Sequence, residues 1–175
     1  MEILPIEQAD AAQVQAFFQR VPEGDRTFFK EDVLDPDLVR VWTREDRGRR
    51  AVACDNGTVV GYVAVIPGVG WSSHVGEMRL VVDAGQRGKG LGRGLARRGL
   101  LDAFELGLSK IVVEVVADQT AAAGMFQAIG FEPEAMLRNH VRDRSGELRD
   151  LLVLAHHPED TWSGLATAGV EDALA

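Results

Sequence analysis

Apolar positions recur along the chain with two different periods, and the change of period marks out the elements. Residues 2–7 read as a short first strand. Over Asp10–Arg20, Val14, Phe17 and Phe18 fall three to four residues apart, which predicts a helix with one buried stripe. Arg26–Trp42 carries Phe28, Phe29, Val33, Leu34, Leu38, Val39 and Trp42 around Pro36, and proline interrupts helices, so a broken helical region is expected there. The charged run Arg44–Arg50 reads as a loop. From Ala51 the pattern turns β-like. Ala51–Cys54 and Thr58–Ile66 flank Asp55-Asn56-Gly57, a hairpin turn in which Asn-Gly takes up positive φ at little cost. Pro67-Gly68-Val69-Gly70 breaks the chain before a strand at Val75–Val82. A helix over Gly90–Leu106, a β-branched strand at Ile111–Val116 and a short helix at Thr120–Ile129 follow, the last stopped by Gly130. Val141–Asp143 and Leu148–Ala155 predict a final hairpin turning at Ser145-Gly146. This order of strands and helices implies a mixed α/β sheet.

Composition narrows the classes. A chain of 175 residues suits one domain, expected over 1–157, with a helical acceptor-side region at 1–45, a core at 50–155 and a mobile Gly/Ala-rich tail at 158–175. No apolar run approaches the roughly 18 residues of a membrane span, and MEILPIEQAD lacks the basic-then-apolar order of a secretory signal. The lone Cys54 can form no internal disulfide, which fits a reducing cytoplasm. A net charge of −8 argues against nucleic acid as a partner and favours cationic ligands. One region reverses that charge: Arg87, Lys89, Arg93, Arg97 and Arg98 occur together with no acidic residue among them.

The same region holds the most informative string, Leu80-Val81-Val82-Asp83-Ala84-Gly85-Gln86-Arg87-Gly88-Lys89-Gly90-Leu91-Gly92-Arg93-Gly94. A strand runs into a glycine-rich turn that opens a helix. Glycines let the backbone approach a ligand closely, and the first-turn amides lack intrahelical acceptors, so the turn is a polyanion site. A dinucleotide fingerprint fails, because Arg93 stands where the third glycine from Gly88 belongs. A nucleotide-triphosphate loop fails too, because Lys89 is followed by Gly90 instead of Ser or Thr.

Arg87-x-x-Gly90-x-Gly92 after a strand resembles the pyrophosphate loop of the GNAT N-acetyltransferases. Ala122-x-x-Met125-Phe126-x-x-Ile129-Gly130-Phe131 resembles the family's second motif, and Leu137–Asp143 through Leu151–Leu154 its closing hairpin. Three motifs in order cover residues 50–155. The resemblance implies an α/β fold with a mixed, mostly antiparallel central sheet, helices on both faces, and strands splayed at the CoA site. It further implies acetyl-CoA as co-substrate, with Leu80, Val81 and Val82 offering backbone groups to pantetheine and the thioester. Gly88, Lys89, Gly90, Leu91, Gly92 and Arg93, with Arg87, would hold the pyrophosphate, and an N–H near Val81 would stabilise the oxyanion. No metal is implied.

Attack by an amine needs its proton removed, since an alkylamine has a pKa near about 10. Glu77 stands where lysine-acetylating relatives carry a base and shares a strand face with Arg79; the plain alternative is an ion pair between the two. His74 is a weaker candidate base, and His140, His156 and His157 have no metal-ligand spacing. Gln119 replaces the family's frequent asparagine and keeps a polar contact to the cofactor. Phe126 stands where a tyrosine commonly protonates the departing thiolate, and phenylalanine supplies no proton. Loss of a general acid costs roughly 10²–10⁴ in rate where a step needs one, but a thiol of pKa near about 8.5 leaves well unaided. Cys54 reads as a small hydrophobe, Trp42 and Trp71 as core, dimer contact or acceptor-pocket wall, and the charged hairpin from Arg138 to Arg149 as edge protection.

The reaction expected is direct transfer from acetyl-CoA to a primary amine in a ternary complex. The acceptor would be a protein lysine, a peptide N-terminus, a polyamine or another small amine. The alternatives are a CoA-binding sensor with little turnover, which Phe126 favours, and a transferase of a longer acyl group. A homodimer through the closing hairpin is a further expectation.

Overall fold

The computed structural model describes residues 1–26, 29–42, 44 and 47–158; Phe28, and the expected tail beyond Pro158, lie outside the described residues. The elements run β1 (Glu2–Pro5), α1 (Ala11–Arg20), α2 (Glu23–Arg26), α3 (Pro36–Trp42), β2 (Arg49–Asp55), β3 (Thr58–Pro67), β4 (Val75–Val82), α4 (Leu91–Glu105), β5 (Lys110–Val116), α5 (Thr120–Gln127), β6 (Glu132–Arg142) and β7 (Leu148–His156). The strands form one seven-stranded sheet in the order β1-β2-β3-β4-β5-β7-β6. All neighbouring pairs are antiparallel except β4 and β5. The expected mixed, mostly antiparallel α/β sheet is therefore present.

Local chemistry sets the element ends. Asp10 caps α1, its carboxylate accepting from the amides of Ala12 and Gln13. Asn56 and Gly57 both take positive φ, 49° and 78°, so the two-residue turn follows the twist of β2 and β3. The broken region around Pro36 holds α2 and α3, and α3 starts on the proline.

Each face of the sheet has its own core. On one face α4 buries Leu91, Leu95, Ala96 and Ala103 against Val63, Val65 and Met78. Gly99 brings that helix close, since a Cβ there would lie 2.7 Å from Met78 Cε. On the other face α1 and α3 pack Phe17, Phe18 and Trp42 on Tyr62, with Phe18 edge-on to Tyr62 at 5.2 Å and Trp42 stacked on it at 5.5 Å. The two residue sets alternate along β4: Met78 and Val82 belong to the α4 side, Val81 to the α1 side.

The closing hairpin departs from expectation. Its first strand was expected at Val141–Asp143, whereas β6 begins at Glu132 and is 11 residues long. It is the outer strand of its edge, mostly solvent-exposed, so it has no apolar alternation to advertise it. The ladder to β7 is irregular between Leu137 and Val141, where Asn139 takes φ 51° and its amide is held by Asp150. A kinked, charged outer strand resists edge-to-edge pairing. Among the described residues, no helix is long and apolar enough to cross a membrane, and no cluster of three or more His, Cys, Asp or Glu could hold a metal.

Candidate active site

The site is a fork in the sheet. β4 and β5 pair in parallel over Val75–Glu77 and Lys110–Val112 only, and then separate. On its other side β4 stays in register with β3 from Gly76 to Val82. Two backbone bonds fix which groups β4 turns toward β3: Gly68 N donates to Val75 O at 2.8 Å, and Asp83 N to Val60 O at 2.9 Å. With the register unbroken between them, alternation gives the N–H and C=O of Glu77, Arg79 and Val81 to β3. Those of Met78, Leu80 and Val82 face the fork. Arg87 agrees, its Nε donating to the Val82 carbonyl at 3.3 Å. This corrects the expectation for Val81 as backbone donor to the oxyanion: its N–H is directed to Tyr62 of β3, away from the fork.

Beyond Val82 the chain turns through Gly88 and Gly90, at φ 73° and 85°, left-handed backbone that favours glycine. Gly90 is the N-cap of α4 and brings no capping side chain, and the first bond inside the helix is Gly94 N to Gly90 O at 3.1 Å. The amides of Leu91, Gly92 and Arg93 thus precede the first intrahelical bond, with the positive end of the helix dipole behind them.

Fork and turn share one cavity of 670 Å³. Leu80, Val81, Val82, Arg87, Gly88, Gly90, Gly92, Arg93 and Gln119 line it, while Ala121, Ala122, Met125 and Phe126 of α5 give it an apolar wall. Lys89 and Leu91 are not in the wall: Lys89 reaches Gln86 at 3.1 Å and Leu91 is buried under the sheet. His74 is exposed and outside the lining. Phe126 packs edge-on to Phe131 at 5.3 Å. Tyr62 is buried in the opposite core with its pKa pushed up by burial, so it brings no proton to the fork. Trp42 is core, Trp71 is 95% exposed, and Cys54 is partly buried in β2.

Glu77 lines the cavity within a chain of charges. Arg79 Nε donates to Glu77 Oε1 at 2.9 Å, Arg79 Nη1 to Glu31 Oε2 at 2.7 Å, and Lys30 Nζ to Glu77 Oε2 at 3.0 Å. Lys30 also meets Glu114 of β5 at 3.1 Å. Burial pushes the Glu77 carboxyl up, but the hydrogen bonds from Arg79 and Lys30 outweigh it and hold the group below the usual carboxylate range. Burial works against the Lys30 ammonium, and its bonds to Glu77 and Glu114 raise it overall. The expected Glu77–Arg79 pair is thus real, and it sits inside the cavity. Sequence reasoning missed Lys30, Glu31, Glu114 and Asp25, which pairs with Arg87. Glu114 had a signal, as the single charge in the apolar run Ile111–Val116. The other three, on the α2–α3 segment, had none.

Comparison with known proteins agrees with this geometry. The model of the "Acetyltransferase (GNAT) family" matches residues 13–131, and the chain belongs to that family of acetyltransferases. A mycothiol acetyltransferase from Kocuria rhizophila is 38% identical over 81 residues, which is 45% of this chain but only 27% of that relative. Among solved structures, a ribosomal-protein-alanine N-acetyltransferase from Brucella melitensis superposes with a TM-score of 0.77 at 22% identity, covering 90% of this chain and 99% of the other. A Salmonella typhimurium protein described as an acetyltransferase, solved with its cofactor acetyl-CoA, gives 0.77 at 21% identity, over 90% and 93%.

Proposed function

We propose that this chain transfers the acetyl group of acetyl-CoA to a primary amine by direct attack in a ternary complex. The observation that carries the reading is the fork: a strand edge that turns the backbone groups of Leu80 and the N–H of Val82 away from β3 leads straight into helix amides that precede the first intrahelical bond. The residues present suit a CoA thioester. Arg87, Arg93 and the amides of Gly88 to Arg93 form an anion cradle, the apolar wall of α5 matches an aliphatic arm, and the strand edge matches that arm's amides. When bound, acetyl-CoA supplies an activated acyl carbon with a thiolate leaving group. Leu80, rather than Val81, holds the backbone N–H that faces the fork as an oxyanion donor. Gln119 adds a polar contact, and Lys89 and Leu91 contribute through their backbones.

Glu77 is the base of this reading. Its lowered pKa makes it a weaker base than an ordinary carboxylate, so the support for Glu77 is its place in the cavity and not its pKa. His74, outside the cavity, has no such position. Phe126 gives specific support to a second reading, a CoA-binding protein with little turnover, since no Ser, Thr or Tyr lines the cavity among the described residues.

The test is acetyl-CoA-dependent release of free thiol across polyamines, lysine peptides, peptide N-termini and small alkylamines, beside Glu77→Gln, with longer acyl-CoAs in parallel. Turnover on one amine class, lost in the variant while acetyl-CoA still binds, supports the transferase. Tight acetyl-CoA binding without turnover on any amine moves the conclusion to the second reading.

A further inference from the structure

Two carboxylates flank the fork where β4 and β5 part. Glu77 belongs to the last residue pair of the parallel ladder, Glu77 with Val112, and Glu114 lies two residues further along β5. Both line the cavity. Between them lies the Lys30 ammonium, 3.0 Å from Glu77 Oε2 and 3.1 Å from Glu114 Oε2. The sheet does not supply this lysine. It arrives from the segment between α2 and α3, whose next residue, Glu31, is tied to Arg79. A primary ammonium on a flexible aliphatic stem therefore already bridges the mouth of the fork, on the strand face that carries Glu77.

We infer that Glu77 and Glu114 together form the subsite for the acceptor's ammonium, and that Lys30 fills it as a tethered competitor. The acceptors this subsite takes are aliphatic primary amines with no carboxylate beside the reacting nitrogen. The inference rests on the acyl-transfer reading above and deepens it. An ammonium makes a charge-assisted hydrogen bond to each carboxylate, which a neutral hydroxyl cannot match. An α-amino acid would bring its own carboxylate against the pair, and like charges so placed cost affinity. When Lys30 leaves, Glu77 keeps the Arg79 guanidinium, while Glu114 gives up the ammonium it meets here. Entry of an acceptor is then an exchange of one ammonium for another, with the charge of the site conserved. Lys30 is half-exposed and its partners are on separate strands, so its side chain can swing out without unfolding either.

The experiment titrates n-pentylamine by calorimetry into the full chain and into Lys30→Met, Lys30→Arg and Lys30→Met/Glu114→Gln. Pentan-1-ol and norleucine serve as the neutral and carboxylate-bearing controls. A tethered group competes at an effective concentration on the order of millimolar, so against an ammonium that binds with Kd of about 0.1–0.5 mM Lys30→Met should bind n-pentylamine about three- to tenfold more tightly than the wild type. Lys30→Arg, which keeps the cation, should behave as the wild type, and the double variant should lose the gain. Neither control should gain in any variant. Equal n-pentylamine affinity in wild type and Lys30→Met overturns the inference, and so does an equal gain for pentan-1-ol, which would mean that only space was released. Acetyl-CoA titrated into the same proteins separates the two readings. Acetyl-CoA binding with no amine pattern removes the subsite alone; the amine pattern without acetyl-CoA binding keeps the subsite and removes the transferase.

Discussion

Gly90→Ala tests whether the turn before α4 is built to aim amides at a ligand. Gly90 sits at φ 85°, ψ −6°, in the left-handed region, and an added Cβ would meet no atom within 4 Å. Steric repulsion therefore contributes nothing, and the cost is that of left-handed backbone for an L-residue, about 1–2 kcal/mol. The variant has two ways out. If it keeps the turn it loses that stability, and at about 2–4 °C per kcal/mol for a chain of this size Tm should fall by about 2–8 °C. If the turn relaxes to negative φ, Tm recovers, but the amides of Leu91, Gly92 and Arg93 no longer converge and CoA affinity falls. The assay is thermal unfolding by circular dichroism together with calorimetric titration of CoA. Gly124→Ala is the control: it lies within α5, exposed, at ordinary φ and with nothing within 4 Å, so it should gain up to about 1 kcal/mol from helix propensity. Gly90→Ala with both Tm and CoA affinity unchanged would refute the account of the turn.

Three further outcomes follow from the site and its support. The folded-state pKa of Glu77 lies below its unfolded value, so its contribution to stability is complete above about 4.3 and is lost as pH falls through the folded value. Glu77→Gln should therefore flatten the acid limb of Tm against pH, and an identical limb in both proteins would contradict the pairing. Phe126→Tyr adds a hydroxyl at the cavity wall and should raise kcat about tenfold or more where thiolate departure limits turnover; an unchanged kcat would mean that the sulfur leaves without a protein proton. Arg50 is buried, stands 5.3 Å over the Trp42 ring and donates to the Arg47 carbonyl at 3.4 Å. Arg50→Met should cost about 0.5–2 kcal/mol by removing the cation from the Trp42 ring, read as a lower Tm, and an unaltered Tm would show that the contact carries nothing.

How far the sequence disclosed this protein depends on which interactions are local. β4, α4 and β5 were legible almost to the residue, because each is a periodic apolar run closed by glycine or a charged turn. The Asn56-Gly57 hairpin was legible for the same reason. β6 was not, since an exposed outer strand needs no apolar alternation. At the site, the glycine turn could be read because its chemistry lies in consecutive backbone. The direction of the Val81 amide could not, since it depends on the register with β3, set at Gly68 and Asp83. The charges around Glu77 were hidden for a related reason: Lys30 and Glu31 lie 47 and 48 residues from the partners they meet on β4, with no local pattern tying them to it.

The fork also gives β4 an unusual timetable of proton exchange with solvent. Arg79 and Val81 lock their amides into β3, while Leu80, one residue away and in the interior of the same strand, turns its amide to the open edge. Past the end of the β5 ladder, neighbouring amides should then exchange with deuterium at rates that alternate, slow at Arg79 and Val81 and fast at Leu80 and Val82. An arm laid along the edge would slow the even set and leave the odd set as it was. A single strand thus carries both the probe of occupancy and its own reference, readable without any catalytic turnover.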